Sequence, residues 1–155
     1  MKSDTIAAIA TALSDAGIGI IRISGPEAIA VANRVVVNKK KEHTLKNWQT
    51  HTIHYGFVEE NGTILDEVMV SVMKAPRSYT TEDTVEINCH GGVLLTKRVL
   101  EAVLHAGARM AEPGEFTKRA FLSGRIDLSE AEAVMDLIQA KNQFSMQASI
   151  KQLRG

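Results

Sequence analysis

Apolar and polar positions alternate most strictly between Asp83 and Gly92, where Val85, Ile87 and Cys89 fall on one face of an extended segment and Thr84, Glu86 and Asn88 on the other. Gly91 and Gly92 end that alternation, and Leu95, Val99, Leu100, Val103 and Leu104 then recur at helical spacing. The pattern predicts a strand turning sharply into a helix over 93–105. The helix's first N–H groups would point to the space above the strand's end, a docking point for a polar ligand.

Upstream, residues 4–10 suit either a small-residue strand or a short helix, and Ile18 to Ser24, rich in isoleucine, predicts a buried strand. Gly25-Pro26 breaks it, and Glu27 to Val36 reads as an amphipathic helix using Ile29, Ala32 and Val36. The polar connection over 38–49 carries Lys39, Lys40, Lys41 and Lys46. It reads as a solvated loop; the alternative, a phosphate or RNA contact, lacks interleaved aromatics within the run. Ile53, Tyr55 and Phe57 share a face of the next strand, Asn61-Gly62 marks a hairpin, and Ile64 to Met73 returns as its partner.

Beyond the central helix, Ala106-Gly107 stops the pattern, residues 108–111 suit a short strand, and Pro113-Gly114-Glu115 opens a helix ending near Ser123-Gly124. Asp127 with Glu130, or Ser129 with Glu132 in the alternative register, has the spacing of a capping box. The helix it begins runs through Val134, Leu137, Ile138, Phe144 and Ala148. Its uncovered apolar stripe is expected of a truncated longer protein, or of a helix awaiting a partner.

Composition narrows the class. A chain of 155 residues, 45% hydrophobic and 23% charged, suits one soluble domain with room for an appendage. Eighteen basic residues balance eighteen acidic ones, so the chain as a whole lacks the excess of a dedicated nucleic-acid binder. The single cysteine excludes an internal disulfide and fits a reducing compartment. No apolar run reaches bilayer-spanning length and no convincing signal segment opens the chain, so the cytoplasm is expected.

Arg22 stands inside an apolar run, either as an edge-strand residue whose stem covers apolar surface or as a partly buried guanidinium committed to a carboxylate or anionic ligand. Glu86 is either a solvent-facing strand residue or a fixed acceptor of two parallel hydrogen bonds, with Arg22 its natural complement. Cys89 and His90 point to opposite faces, as do His51 and His54, which argues against a catalytic thiol–imidazole pair and against one shared metal. Gly17-Ile18-Gly19-Ile20-Ile21-Arg22 lacks the third glycine of a dinucleotide motif and enters a strand, and Gly-x-x-x-x-Gly-Lys-Ser/Thr occurs nowhere.

Three stretches converge on one resemblance. Asp4-Thr5-Ile6-Ala7-Ala8 with Gly17 to Gly25, Ser78-Tyr79-Thr80 through Glu86 to His90-Gly91-Gly92, and Pro113-Gly114-Glu115-Phe116-Thr117-Lys118-Arg119 with Asp127 to Ala133 resemble the amino-terminal part of the MnmE/TrmE tRNA-modification GTPases. The resemblance implies an α+β fold: a mixed β-sheet with packed helices, related to aminomethyltransferase-type folds. It implies a folate-binding and dimerisation domain over 1–120, then the start of a truncated helical domain over 121–155. Its implied ligand is 5-formyl-tetrahydrofolate or a related reduced folate, contacted by Arg22, Glu86 and Arg125. It also implies a homodimer, a flavin-dependent MnmG-type partner, and tRNA wobble-uridine modification by the full-length protein.

GTP, Mg and K belong to the family's inserted GTPase domain, missing here, so no GTPase activity is expected of this chain alone. Thr11 to Gly17 stands where many members carry a Pro-Pro-Gly-rich loop, and Thr81 where glycine is common. A dimerisation scaffold without folate binding is the alternative; a stand-alone one-carbon transferase ranks below both, since no base or nucleophile is evident beside the pocket.

Overall fold

The computed structural model describes residues 4–11 and 17–140. These divide between two compact units, Met1–Ala111 and Glu112–Gly155. The first holds a seven-stranded sheet. Its strands are β1 (Ile6–Ile9), β2 (Gly19–Ser24), β3 (Val36–Val37), β4 (Thr52–Glu60), β5 (Thr63–Met73), β6 (Thr84–Cys89) and β7 (Arg109–Met110), and its helices are α1 (Ala28–Val35) and α2 (Gly92–His105). The spatial order is β3-β4-β5-β6-β2-β1-β7. Every neighbouring pair is antiparallel except β1 and β7, so the sheet is mixed and the fold α+β.

Both helices cover the same face. Ile21 and Ile23 of β2, Val68, Val70 and Val72 of β5, and Val85, Ile87 and Cys89 of β6 form one core with Ala28, Val31 and Val35 of α1 and Val99 and Val103 of α2. Each fully buried isoleucine among them contributes roughly 2 kcal/mol. The α1 face differs from the expected Ile29, Ala32 and Val36. Ala32 is buried as expected, but with Ala28, Val31 and Val35; Ile29 is half-buried, and Val36, though buried, has already passed into β3. Residues 6–9, ambiguous by pattern, become a strand because β2 and β7 pair with both their edges.

The β4–β5 hairpin closes through Asn61 (φ 52°) and Gly62 (φ 80°), the two left-handed positions of a two-residue turn. Its apolar pattern needs both sides of the sheet. Gly56 and Val58 are buried on the side of α1 and α2, whereas Ile53 and Tyr55 lie 65% and 50% exposed on the side opposite those two helices.

In the second unit, α3 (Glu115–Leu122) is followed by a turn and by a helix whose described part is residues 128–140. Asp127 Oδ1 accepts from Glu130 N at 2.7 Å, and Glu130 Oε1 accepts from Asp127 N at 3.3 Å, a closed capping box in the first of the two expected registers. The positions expected to extend this helix, Phe144 and Ala148, and most of the loop at Thr11 to Gly17 lie outside the described residues.

Candidate functional site

The sheet face opposite α1 and α2 carries a built ion pair. In the antiparallel register of β2 and β6, Arg22 stands directly opposite Glu86, on the side away from both helices. Arg22 Nε donates to Glu86 Oε2 at 2.8 Å. Side-chain exposures of 31% and 24% leave both groups in reach of solvent or ligand. Because β2 lies between β6 and β1, the edge-strand reading of Arg22 is replaced by the guanidinium committed to a carboxylate. Among the described residues Arg22 is the carboxylate's one hydrogen-bond partner, so Oε1 of Glu86 remains an open acceptor.

A polar network not evident from spacing lies beside this pair. Ser24, two positions from Arg22 on the same face, is fully buried, with its Oγ 2.7 Å from Thr80 Oγ1 and donating to Glu82 Oε1 at 3.0 Å. Thr84 and Ser78 donate to the carbonyl of Glu82. Between Thr80 and Glu82 the backbone passes through Thr81 at φ 66°, a left-handed conformation unfavourable for a β-branched residue. The network fixes this strained segment against β2. The hydroxyl and carboxylate residues at 78, 80 and 82 were the available sequence signal, but their partner Ser24 lies more than fifty positions away.

Arg125, the third expected ligand residue, stands in the second unit, exposed in the turn after α3, where its backbone N–H donates to Ala120 O at 2.9 Å.

At the β6–α2 junction Asp66 Oδ2, from β5, accepts from His90 N at 2.8 Å and Gly91 N at 3.0 Å, so the two N–H groups just before α2 already have an anionic partner. Cys89 is fully buried below them and His90 is exposed. Burial, then the charge of Asp66, pushes the Cys89 thiol up to about 12 against a lowering hydrogen bond from Thr96, so it remains a neutral core residue. His51 and His54 have separate partners: His51 Nδ1 pairs with Thr50 Oγ1 at 2.8 Å, and His54 stacks on Trp48 at 3.8 Å. Among the described residues, no group of three or more His, Cys, Asp or Glu side chains could hold a metal, and no helix is long and apolar enough to cross a membrane.

The class so defined is an α+β module whose sheet is covered by helices on one side and presents a cross-strand ion pair on the other. Residues 5–125 match the family described as GTP-binding protein TrmE N-terminus, and the chain belongs to that family. It is 61% identical over all its 155 residues to the tRNA modification GTPase MnmE of Lachnoclostridium phytofermentans, covering 34% of that protein. It is 57% identical over 155 residues, all of the chain, to the MnmE of Listeria welshimeri, covering 33% of it. Against that of Bacillus subtilis it is 54% identical over 154 residues, 98% of the chain and 33% of the relative. The chain thus spans about a third of the length of these curated relatives.

Proposed function

We propose that this chain is the amino-terminal module of a tRNA wobble-uridine modification GTPase, with residues 1–120 binding 5-formyl-tetrahydrofolate or a related reduced folate and forming a homodimer. The supporting observation is the Arg22–Glu86 pair on the sheet face opposite α1 and α2. A reduced pterin presents an amino group and ring N–H donors, which suit the open acceptor of Glu86, while the folate's anionic tail suits a guanidinium group, that of Arg22. Bound there, the folate supplies a one-carbon unit. The residues of this chain hold and orient it; none is assigned a catalytic role.

Homodimerisation draws support from the same face, where exposed Ile53 and partly buried Ile20, Met69 and Met73 leave apolar surface that no helix of the first unit covers. GTP with Mg and K, the flavin-dependent MnmG-type partner and tRNA modification belong in this reading to the longer protein, acting in the cytoplasm.

The test is a calorimetric titration with 5-formyl-tetrahydrofolate, with sedimentation of the same sample. Saturable binding to a dimer, weakened about tenfold or more in Glu86→Gln and Arg22→Ala, is the expected result. A folded dimer that binds nothing would favour the scaffold reading; unchanged affinity in both variants would remove the site assignment.

A further inference from the structure

The lysine run at 39–41 lacks aromatic residues of its own, but the fold brings one to it. β3 pairs with β4 through Val37 and Phe57, and the chain leaving β3 passes alongside Tyr55. Asn38, Lys39, Lys40, Glu42 and Tyr55 line one open cavity of about 500 Å³. Tyr55 is half exposed, with Phe57 edge-on to its ring at 5.7 Å and its hydroxyl donating to Glu67.

The loop is ordered from within. Asn38 Oδ1 accepts from Lys40 N and Glu42 N, each at 2.9 Å, while Asn38 N donates to Glu42 O and Lys41 N to Asn38 O, both at 3.0 Å. Lys41 is held at φ 61°. The ammonium groups therefore spring from a fixed backbone, which lowers the ordering cost of meeting a ligand. Over residues 38–49 four lysines face one glutamate in a chain whose formal net charge is zero. The second nearby carboxylate, Glu67, is engaged by the Tyr55 hydroxyl, whose titration it raises, so the tyrosine stays neutral.

We infer that this corner of the sheet is a contact for an unpaired RNA strand, with Lys39 and Lys40 against a phosphodiester and a base or ribose against the Tyr55 ring. Paired cations beside an aromatic platform are what a phosphate followed by a base requires, whatever the sequence. The inference rests on the chain being part of a tRNA-modifying protein and is independent of the folate site.

The test measures fluorescence anisotropy of a fluorescein-labelled RNA hairpin with an unpaired uridine-rich loop, titrated with the chain at several salt concentrations. Lys39→Ala/Lys40→Ala is expected to weaken binding about fivefold or more and to flatten the log–log salt slope by about 1.4, the value for two single-strand phosphates. Tyr55→Leu should weaken binding about fivefold or more with the slope unchanged. Both variants should titrate 5-formyl-tetrahydrofolate as the unmodified chain does, which separates failure here from failure of the folate site. Absence of hairpin binding overturns the inference. So does equal weakening by Lys97→Ala/Arg98→Ala, an exposed basic pair on α2, because the attraction would then be diffuse. Competition by uridine monophosphate as tight as by unlabelled hairpin overturns the strand assignment in favour of a free nucleotide.

Discussion

Asp66 and Gly91 are joined by a 3.0 Å hydrogen bond from the backbone N–H at the start of α2 to a carboxylate on β5. The same oxygen takes the N–H of His90, so one side chain from a neighbouring strand holds the two N–H groups that lead into the principal helix of the sheet. Asp66→Ala should lower unfolding free energy by about 1–2 kcal/mol, and Asp66→Asn by less, because the amide oxygen still accepts. Urea denaturation checks both; equal losses would mean that charge dominates the contact.

Glycine at position 19 is required by a close approach. A Cβ there would stand 2.5 Å from Thr96 Oγ1 and 2.6 Å from its Cγ2, and Thr96 is buried and bonded back to Gly92 O. Gly19→Ala should cost about 1–3 kcal/mol through forced displacement of α2 or of that rotamer. Thr96→Ala in the same chain should recover part of the loss, a coupling that a double-mutant cycle in urea measures.

The outline of the fold was legible where local chemistry decides it. Asn61-Gly62 marked the hairpin, the glycines at 91 and 92 marked the strand-to-helix turn, and Asp127 with Glu130 marked the last helix start. What escaped depends on partners far along the chain. No spacing reveals that Asp66 occupies the N–H groups at 90 and 91, or that Ser24 holds the segment through Thr80 and Glu82. Nor does the alternation of β4 say which side is covered, because both its faces carry apolar residues. That is decided by the helices packing over β5 and β6. At the candidate site, the mutual suitability of Arg22 and Glu86 was readable as chemistry, whereas their direct opposition follows from the β2–β6 register.

Partly exposed ion pairs stabilise folds weakly. A cycle of Arg22→Ala, Glu86→Gln and the double variant should therefore give a coupling below about 1 kcal/mol in thermal or urea unfolding. Each single variant should keep its fold while losing folate affinity. A coupling of several kcal/mol would recast the pair as a structural strut.

Cys89 offers a pH signature. Its native thiol is raised to about 12 from an ordinary 9.0, so above pH 9 the unfolded chain releases a proton that the native chain keeps. Unfolding free energy should then fall with rising pH, by up to about 1.4 kcal/mol per unit between pH 9 and 12. Cys89→Ala should remove the thiol's share of that slope in parallel urea titrations, leaving the share of the Tyr55 hydroxyl, whose pKa is also raised, by Glu67, and the native thiol should resist alkylation at pH 8.

Loss of the capping box should be local. Asp127→Ala should cost the helix at 128–140 about 1 kcal/mol, seen as faster amide exchange in its first turn, with exchange in β2, β5 and β6 unchanged.

The sheet order also bears on synthesis. β2 finds its partner β6 only after the β4–β5 hairpin and the segment that follows it have been made, and Arg22 and Glu86 stand 64 positions apart. On the ribosome, the first two strands therefore emerge with one side of their ladder unmatched and wait for the middle of the chain. The β4–β5 hairpin, closed by its own turn, can form first and offer β6 a template; β2 then completes the sheet's centre. Chaperone capture of nascent chains should fall once β6 has cleared the exit tunnel.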